Sequence, residues 1–167
     1  MLRNTNDIKL GSLIFTRKKL CLISWTIKKF LKFDYSHVAV YIGMGRIVES
    51  VWGGVKINPL SKYLSDDKYE GEVVPLPLSD IQKALFIAEC LRLVGEKYDY
   101  LINMWSLISK ILRLPRTNRA KWNVINAWRC SELTAYALEK VGKGLEFPAC
   151  QITPKDLFLH FKEKVGN

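Results

Sequence analysis

The order of hydrophobic periodicities along the chain predicts an α+β fold, an antiparallel β-sheet or meander packed against helices. Residues 11–76 carry short, β-branched apolar runs parted by glycine turns, whereas from Ser79 onward apolar residues recur at helical spacing. Strands first and helices after point to segregated elements rather than to alternating β–α units. Size is the third observation. A chain of 167 residues with 49% hydrophobic content can bury one substantial core, so a single domain over 1–167 is expected.

Gly11 to Arg17 reads as a short apolar strand after a turn. Leu20 to Phe33 follows, with Leu20, Leu22, Ile23, Trp25, Ile27, Phe30 and Leu31 interleaved with Lys28, Lys29 and Lys32. This stretch is too short and too charged to span a bilayer, so no transmembrane segment is expected. An amphipathic helix covering the sheet is expected here, with docking on a membrane surface as the alternative. Asp34-Tyr35 turns the chain into Ser36-His37-Val38-Ala39-Val40-Tyr41-Ile42-Gly43, a strand with a histidine at its mouth. Gly43-Met44-Gly45-Arg46 is hairpin chemistry, and Ile47 to Trp52 is the return strand. After Gly53-Gly54, the segments 55–57 and 71–76 add strands to a meander of sequence neighbours.

Ser79 is the expected N-cap of a helix that stops at Gly95. Leu101 to Leu112 is a second expected helix, closed by Pro115, and Arg116 to Trp128 is a basic connector. Ser131 to Val141 makes a helix ending at Gly142, with Cys130 at its start. Thr153-Pro154 opens a last short helix, with proline at the first helical position.

The formal net charge is +10 and unevenly placed: residues 1–37 hold eight Lys/Arg against two acids, and 101–129 hold six against none. Such blocks attract polyanions, an anionic membrane or a cell-wall polymer among them, but no specific nucleic-acid partner is indicated. The four cysteines, Cys21, Cys90, Cys130 and Cys150, lack metal-ligand spacing, so neither a zinc site nor a disulfide scaffold is expected. The opening residues contain no apolar signal-peptide core, which favours a reducing, cytoplasmic setting.

Chemistry concentrates at Cys130. A helix N-terminus presents unpaired N–H groups and partial positive charge, Arg129 adds a guanidinium beside it, and both favour thiolate over thiol, modestly opposed by Glu132. His37 and His160 are the only imidazoles that could take its proton, and His160, beside Phe158 and Phe161, reads as a surface or packing residue. Glu49 on the return strand is the candidate to orient His37. Register decides that last point. With a two-residue turn at Met44-Gly45, Val40 opposes Glu49 and the carboxylate faces away from His37, whereas a one-residue bulge at the glycines brings both to one face.

Taken with Ser24-Trp25, Arg46-Ile47-Val48-Glu49-Ser50, Gly95-Glu96-Lys97-Tyr98-Asp99-Tyr100, Cys130-Ser131-Glu132-Leu133 and Ile152-Thr153-Pro154-Lys155-Asp156-Leu157, the histidine strand resembles the circularly permuted NlpC-type papain-like amidases, the YiiX/YaeF group. The resemblance runs from Lys9 to His160, with histidine before cysteine as permutation requires. It implies a permuted papain-like fold, Cys130 as nucleophile, His37 as base and Glu49 as third polar residue. No metal or organic cofactor is implied. Ser12 departs from the pattern, since relatives commonly carry aspartate there.

The function this implies is a cysteine-dependent hydrolase acting on a peptide amide, peptidoglycan-type included, or on an ester bond, with a lipid-directed acyltransferase or thioesterase of the same fold as the alternative. Lys28, Lys29 and Lys32 are the candidate substrate-binding residues for an anionic substrate or surface. The rival is a binding module that uses the same basic surface without catalysis; an intact Cys130, His37 and Glu49 argues against it.

Overall fold

The computed structural model describes residues 2–3, 8–19, 33–98 and 127–165. Its larger sheet contains β1 (Leu2–Arg3), β2 (Leu13–Lys18), β3 (His37–Gly43), β4 (Arg46–Val51), β5 (Gly54–Pro59) and β6 (Tyr69–Val74), in the order β1-β6-β2-β3-β4-β5. Strands β2 to β5 form the expected antiparallel meander. The expectation that β6 extends it beyond β5 is corrected. β6 lies on the far side of β2, antiparallel to it, and β1 adds a short parallel edge. The cause is the connection at 60–68, which contains the one-turn helix α1 (Ser61–Leu64) and buries Leu60 and Tyr63 against Ile14, Ala39, Ile47 and Val73. Burial of those two side chains carries the chain across the sheet instead of along its edge.

Three further helices, α2 (Asp80–Arg92), α3 (Cys130–Lys140) and α4 (Pro154–Val165), pack on the opposite face. There Phe86, Leu133, Leu138, Leu157 and Phe161 meet Leu13, Phe15, Val38, Val40, Val48 and Val74. Cover on both faces explains why Leu13-Ile14-Phe15 and Val38-Ala39-Val40 are unbroken apolar runs: alternate residues enter different cores. A second, two-stranded parallel ribbon joins β7 (Lys97–Tyr98) to β8 (Ala127–Trp128), so the connector expected over 116–128 ends in a strand. Two-residue strands are too short to show a period.

The helix starts follow their capping chemistry. Ser79 accepts from the Gln82 N–H while the Gln82 side chain takes the Ser79 N–H, a complete capping box. Thr153 and Asp156 do the same ahead of Pro154, which occupies the first helical position without needing an N–H. The segments 20–32 and 101–126, with the basic amphipathic helix and the second helix expected there, lie outside the described residues.

Gly71 sits in the buried centre of β6, where an added Cβ would overlap the carbonyl oxygen of Phe15 on β2. Gly71→Ala is therefore expected to cost about 1–3 kcal/mol. Urea titration should show a lower midpoint at unchanged slope.

Candidate active site

The hairpin decides where Glu49 points. Gly43 opposes Arg46, but Tyr41 opposes Ile47 and Val40 opposes Val48, so Ile42 is an extra residue in β3. Positive φ at Gly43, Met44 and Gly45 (94°, 51° and 66°) makes the tight reversal, which glycine enters at no steric cost. The bulge turns Glu49 to the face that carries Ala39 and His37, where Thr16 on β2 is His37's partner in register.

Glu49 has a fully buried side chain and four hydrogen-bond partners. Its Oε2 meets His37 Nε2 at 2.7 Å and accepts from the Tyr63 hydroxyl. Its Oε1 accepts from Asn58 Nδ2 and Lys62 Nζ, each at 2.8 Å. Burial alone would raise the Glu49 pKa, but His37 first, then Lys62 and Tyr63, hold it well below the usual carboxylate range. Tyr63 is pushed the other way by burial and by the Glu49 charge, so it stays a neutral donor.

Cys130 is the first residue of α3, whose N-terminus is anchored by its flanks. Ser50 on β4 donates to the carbonyl of Trp128, Ser131 Oγ donates to the carbonyl of Ile152 at 2.7 Å, and Arg129 donates to that of Cys150. The Cys130 thiol lies within the electrostatic reach of His37. With Nε2 committed to Glu49, Nδ1 is the ring nitrogen left for sulfur. Burial would raise the thiol pKa. The charge and hydrogen bond of His37, with the backbone N–H groups of Val38 and Ser131, outweigh it and lower the pKa below its ordinary value. For His37, burial alone would lower the pKa; the Cys130 thiolate and the Glu49 carboxylate reverse this and raise it from 6.5 to about 10. Both shifts favour thiolate and imidazolium as the resting pair.

One expected contribution is corrected. Arg129 does not assist the thiolate: its guanidinium is ion-paired with Glu132 at 3.3 Å, both side chains are buried, and it is turned to the Cys150 carbonyl. The pairing cancels the charge of each residue locally. Cys90 is buried and its thiol is pushed up by burial and by Glu89; the Cys150 thiol is raised by burial and Glu132. His160 stacks edge-on against Phe161, ring centroids 4.7 Å apart, as expected of a packing residue. Ser12 begins the run into β2 and accepts from the Tyr41 N–H, about 13 Å along the strand from Thr16 and His37. The position is therefore remote from the three residues.

Sequence reasoning missed Asn58, Lys62 and Tyr63. Asn58 carried a signal, since Ile47 opposes Asn58 in register and a polar residue there shares the Glu49 face. Lys62 and Tyr63 carried none, because a four-residue helix has no period to read. Lys28, Lys29 and Lys32 lie outside the described residues. A cleft of about 220 Å³ opens beside His37, bounded by Thr16, Val51, Lys62, Tyr63 and Tyr69 among others.

No protein-family model and no curated protein matches the sequence. Among solved structures, the chain superposes on the metalloprotein YiiX from Escherichia coli O157:H7 (DUF1105) with a TM-score of 0.57. The fold is YiiX-like. Identity is 20%, and the match covers 80% of this chain and 66% of YiiX, just under two thirds of that protein's length. At that identity the likeness is one of fold, α+β with an antiparallel sheet packed on helices.

Proposed function

We propose that the protein is a cysteine-dependent hydrolase of the permuted papain-like kind, a single domain cleaving an amide or an acyl ester through Cys130, His37 and Glu49. The observation that carries this is a helix-start thiol electrostatically coupled to an imidazole that is itself hydrogen-bonded to a buried carboxylate. In this reading the Cys130 thiolate attacks the carbonyl carbon, and the backbone N–H of Cys130 helps hold the oxyanion. The imidazolium gives its proton to the leaving amine or alcohol as the carbon–heteroatom bond breaks, leaving a thioester. Neutral His37 then takes a proton from water, whose oxygen attacks the thioester, releasing the acid and restoring thiolate and imidazolium. Short peptides, peptidoglycan-type among them, and acyl lipids are the substrate classes. Lys28, Lys29 and Lys32 would favour anionic examples.

YiiX is named as a metalloprotein, and the donors here do not fit an ion. Among the described residues, no three His, Cys, Asp or Glu side chains are grouped to hold a metal. Both oxygens of Glu49 are taken by donors, one of them an ammonium that would repel a cation. No step is drawn through a metal. Among the same residues, no helix is long and apolar enough to cross a membrane.

Acyl-enzyme trapping tests the proposal. A short-chain p-nitrophenyl ester, quenched in acid after a burst of p-nitrophenol, should leave an acyl group on the peptide containing Cys130. Absence of that adduct, with hydrolysis unchanged in Cys130→Ser, would remove the nucleophile.

A further inference from the structure

The surroundings of Glu49 contain a charge that a catalytic triad does not explain. Through one catalytic cycle His37 alternates between imidazolium and neutral imidazole, so its countercharge to Glu49 comes and goes. Glu49 stays fully buried throughout, and a buried carboxylate without a cation is costly enough to take up a proton or to hold on to its neighbour's. Lys62 is placed to prevent this. Its Nζ lies 2.8 Å from Oε1, on the carboxylate oxygen that His37 does not use, while its own side chain is 35% exposed and borders the cleft beside His37. Asn58 and Tyr63 bind the same two oxygens, but neither carries positive charge.

We propose that Lys62 is a positioning residue that supplies the permanent countercharge of Glu49, so that His37 can surrender its proton without leaving a buried carboxylate alone. This rests on the reading of Cys130 and His37 as nucleophile and acid–base. Lys62 would touch no reacting atom. Its effect would pass through Glu49, which remains ionised and oriented while the imidazole is neutral.

The sign of the test follows from electrostatics, since removing a cation raises the pKa of every neighbouring group. The other groups facing the pair would stay in place: Tyr63 and Tyr69 over the Glu49 face, Lys56 across the ladder from Glu49 with its ammonium toward Gly53, Arg17 and Lys18 at the cleft rim, and Arg129 paired with Glu132 beside α3. Two titrations read the change. In Lys62→Met, the acid limb of Cys130 alkylation by iodoacetamide and the His37 imidazole titration followed by NMR should both move up by about one pH unit. Proton delivery to an amide leaving group should slow, lowering kcat more than KM. Lys62→Arg, which keeps the charge, should restore both limbs to near wild type.

Unmoved limbs in folded Lys62→Met, or equal loss in the arginine and methionine variants, would overturn the role of Lys62. A wild-type Cys130 that alkylates like a free thiol would instead overturn the catalytic reading beneath it. Should the methionine variant fail to fold, the arginine variant decides alone: a wild-type profile supports the countercharge, and a shifted one refutes it.

Discussion

Iodoacetamide is expected to modify Cys130 faster than any other cysteine of the folded protein, with an onset at lower pH than that of a free thiol. A free thiol would instead gain reactivity through about pH 8.5. The earlier onset follows from charge placement, because the charge and hydrogen bond of His37 favour the thiolate over the thiol. Cys90 and Cys150 are disfavoured as thiolates by burial. The same placement shapes stability. A raised His37 contributes below its unfolded value of about 6.5 and loses that contribution as pH rises to about 10. A depressed Cys130 contributes above its unfolded value of about 8.5 and loses that contribution as pH falls. Between those unfolded values the two effects oppose each other, and above about pH 8.5 only the loss from His37 continues, so stability should decline there. Cys130→Ala should abolish turnover, a loss on the order of 10⁴-fold or more, with the fold intact. Faster labelling of Cys90 or Cys150, or a Cys130 profile that rises through about pH 8.5, would contradict the assignment.

Glu49→Ala should be the most destabilising change in the site, lowering stability at neutral pH by about 3–5 kcal/mol. It would strand Lys62, Tyr63, Asn58 and His37 around a position with no accessible surface. Glu49→Gln keeps the volume and one acceptor oxygen, so it should fold and lose less turnover than Cys130→Ala. The acid side of the stability curve separates charge from shape. Because the folded Glu49 pKa is depressed, its contribution is complete above the unfolded value of about 4.3 and disappears as pH falls toward the folded one. Wild type should therefore lose stability faster than Glu49→Gln as pH drops below about 4, measured by urea titration at each pH. Parallel curves would mean that Glu49 is held as a hydrogen-bonding group rather than as a charge.

By itself the sequence determined the local elements and the chemically active residue types. Unbroken apolar runs at 13–15 and 38–40, glycines where φ is positive, and N-caps at Ser79 and Thr153 are properties of neighbouring residues, so strands, hairpin and helix starts were legible without the fold. Cys130 at a helix start and His37 at a strand mouth could be read in the same way. The tertiary structure decided what depends on distant partners. The bulge at Ile42 chose the face of Glu49, since a single residue of register inverts every side chain beyond it. Burial of Leu60 and Tyr63 sent β6 across to β2 and, in doing so, delivered Lys62 and Tyr63 to the carboxylate. Arg129 shows the converse: adjacent to Cys130 in sequence, it is turned by Glu132 and the Cys150 carbonyl toward a different part of the chain. Sequence proximity governs backbone conformation, but the field at a buried thiol or carboxylate is set by whichever charges packing brings within a few ångströms, and those come from anywhere in the chain.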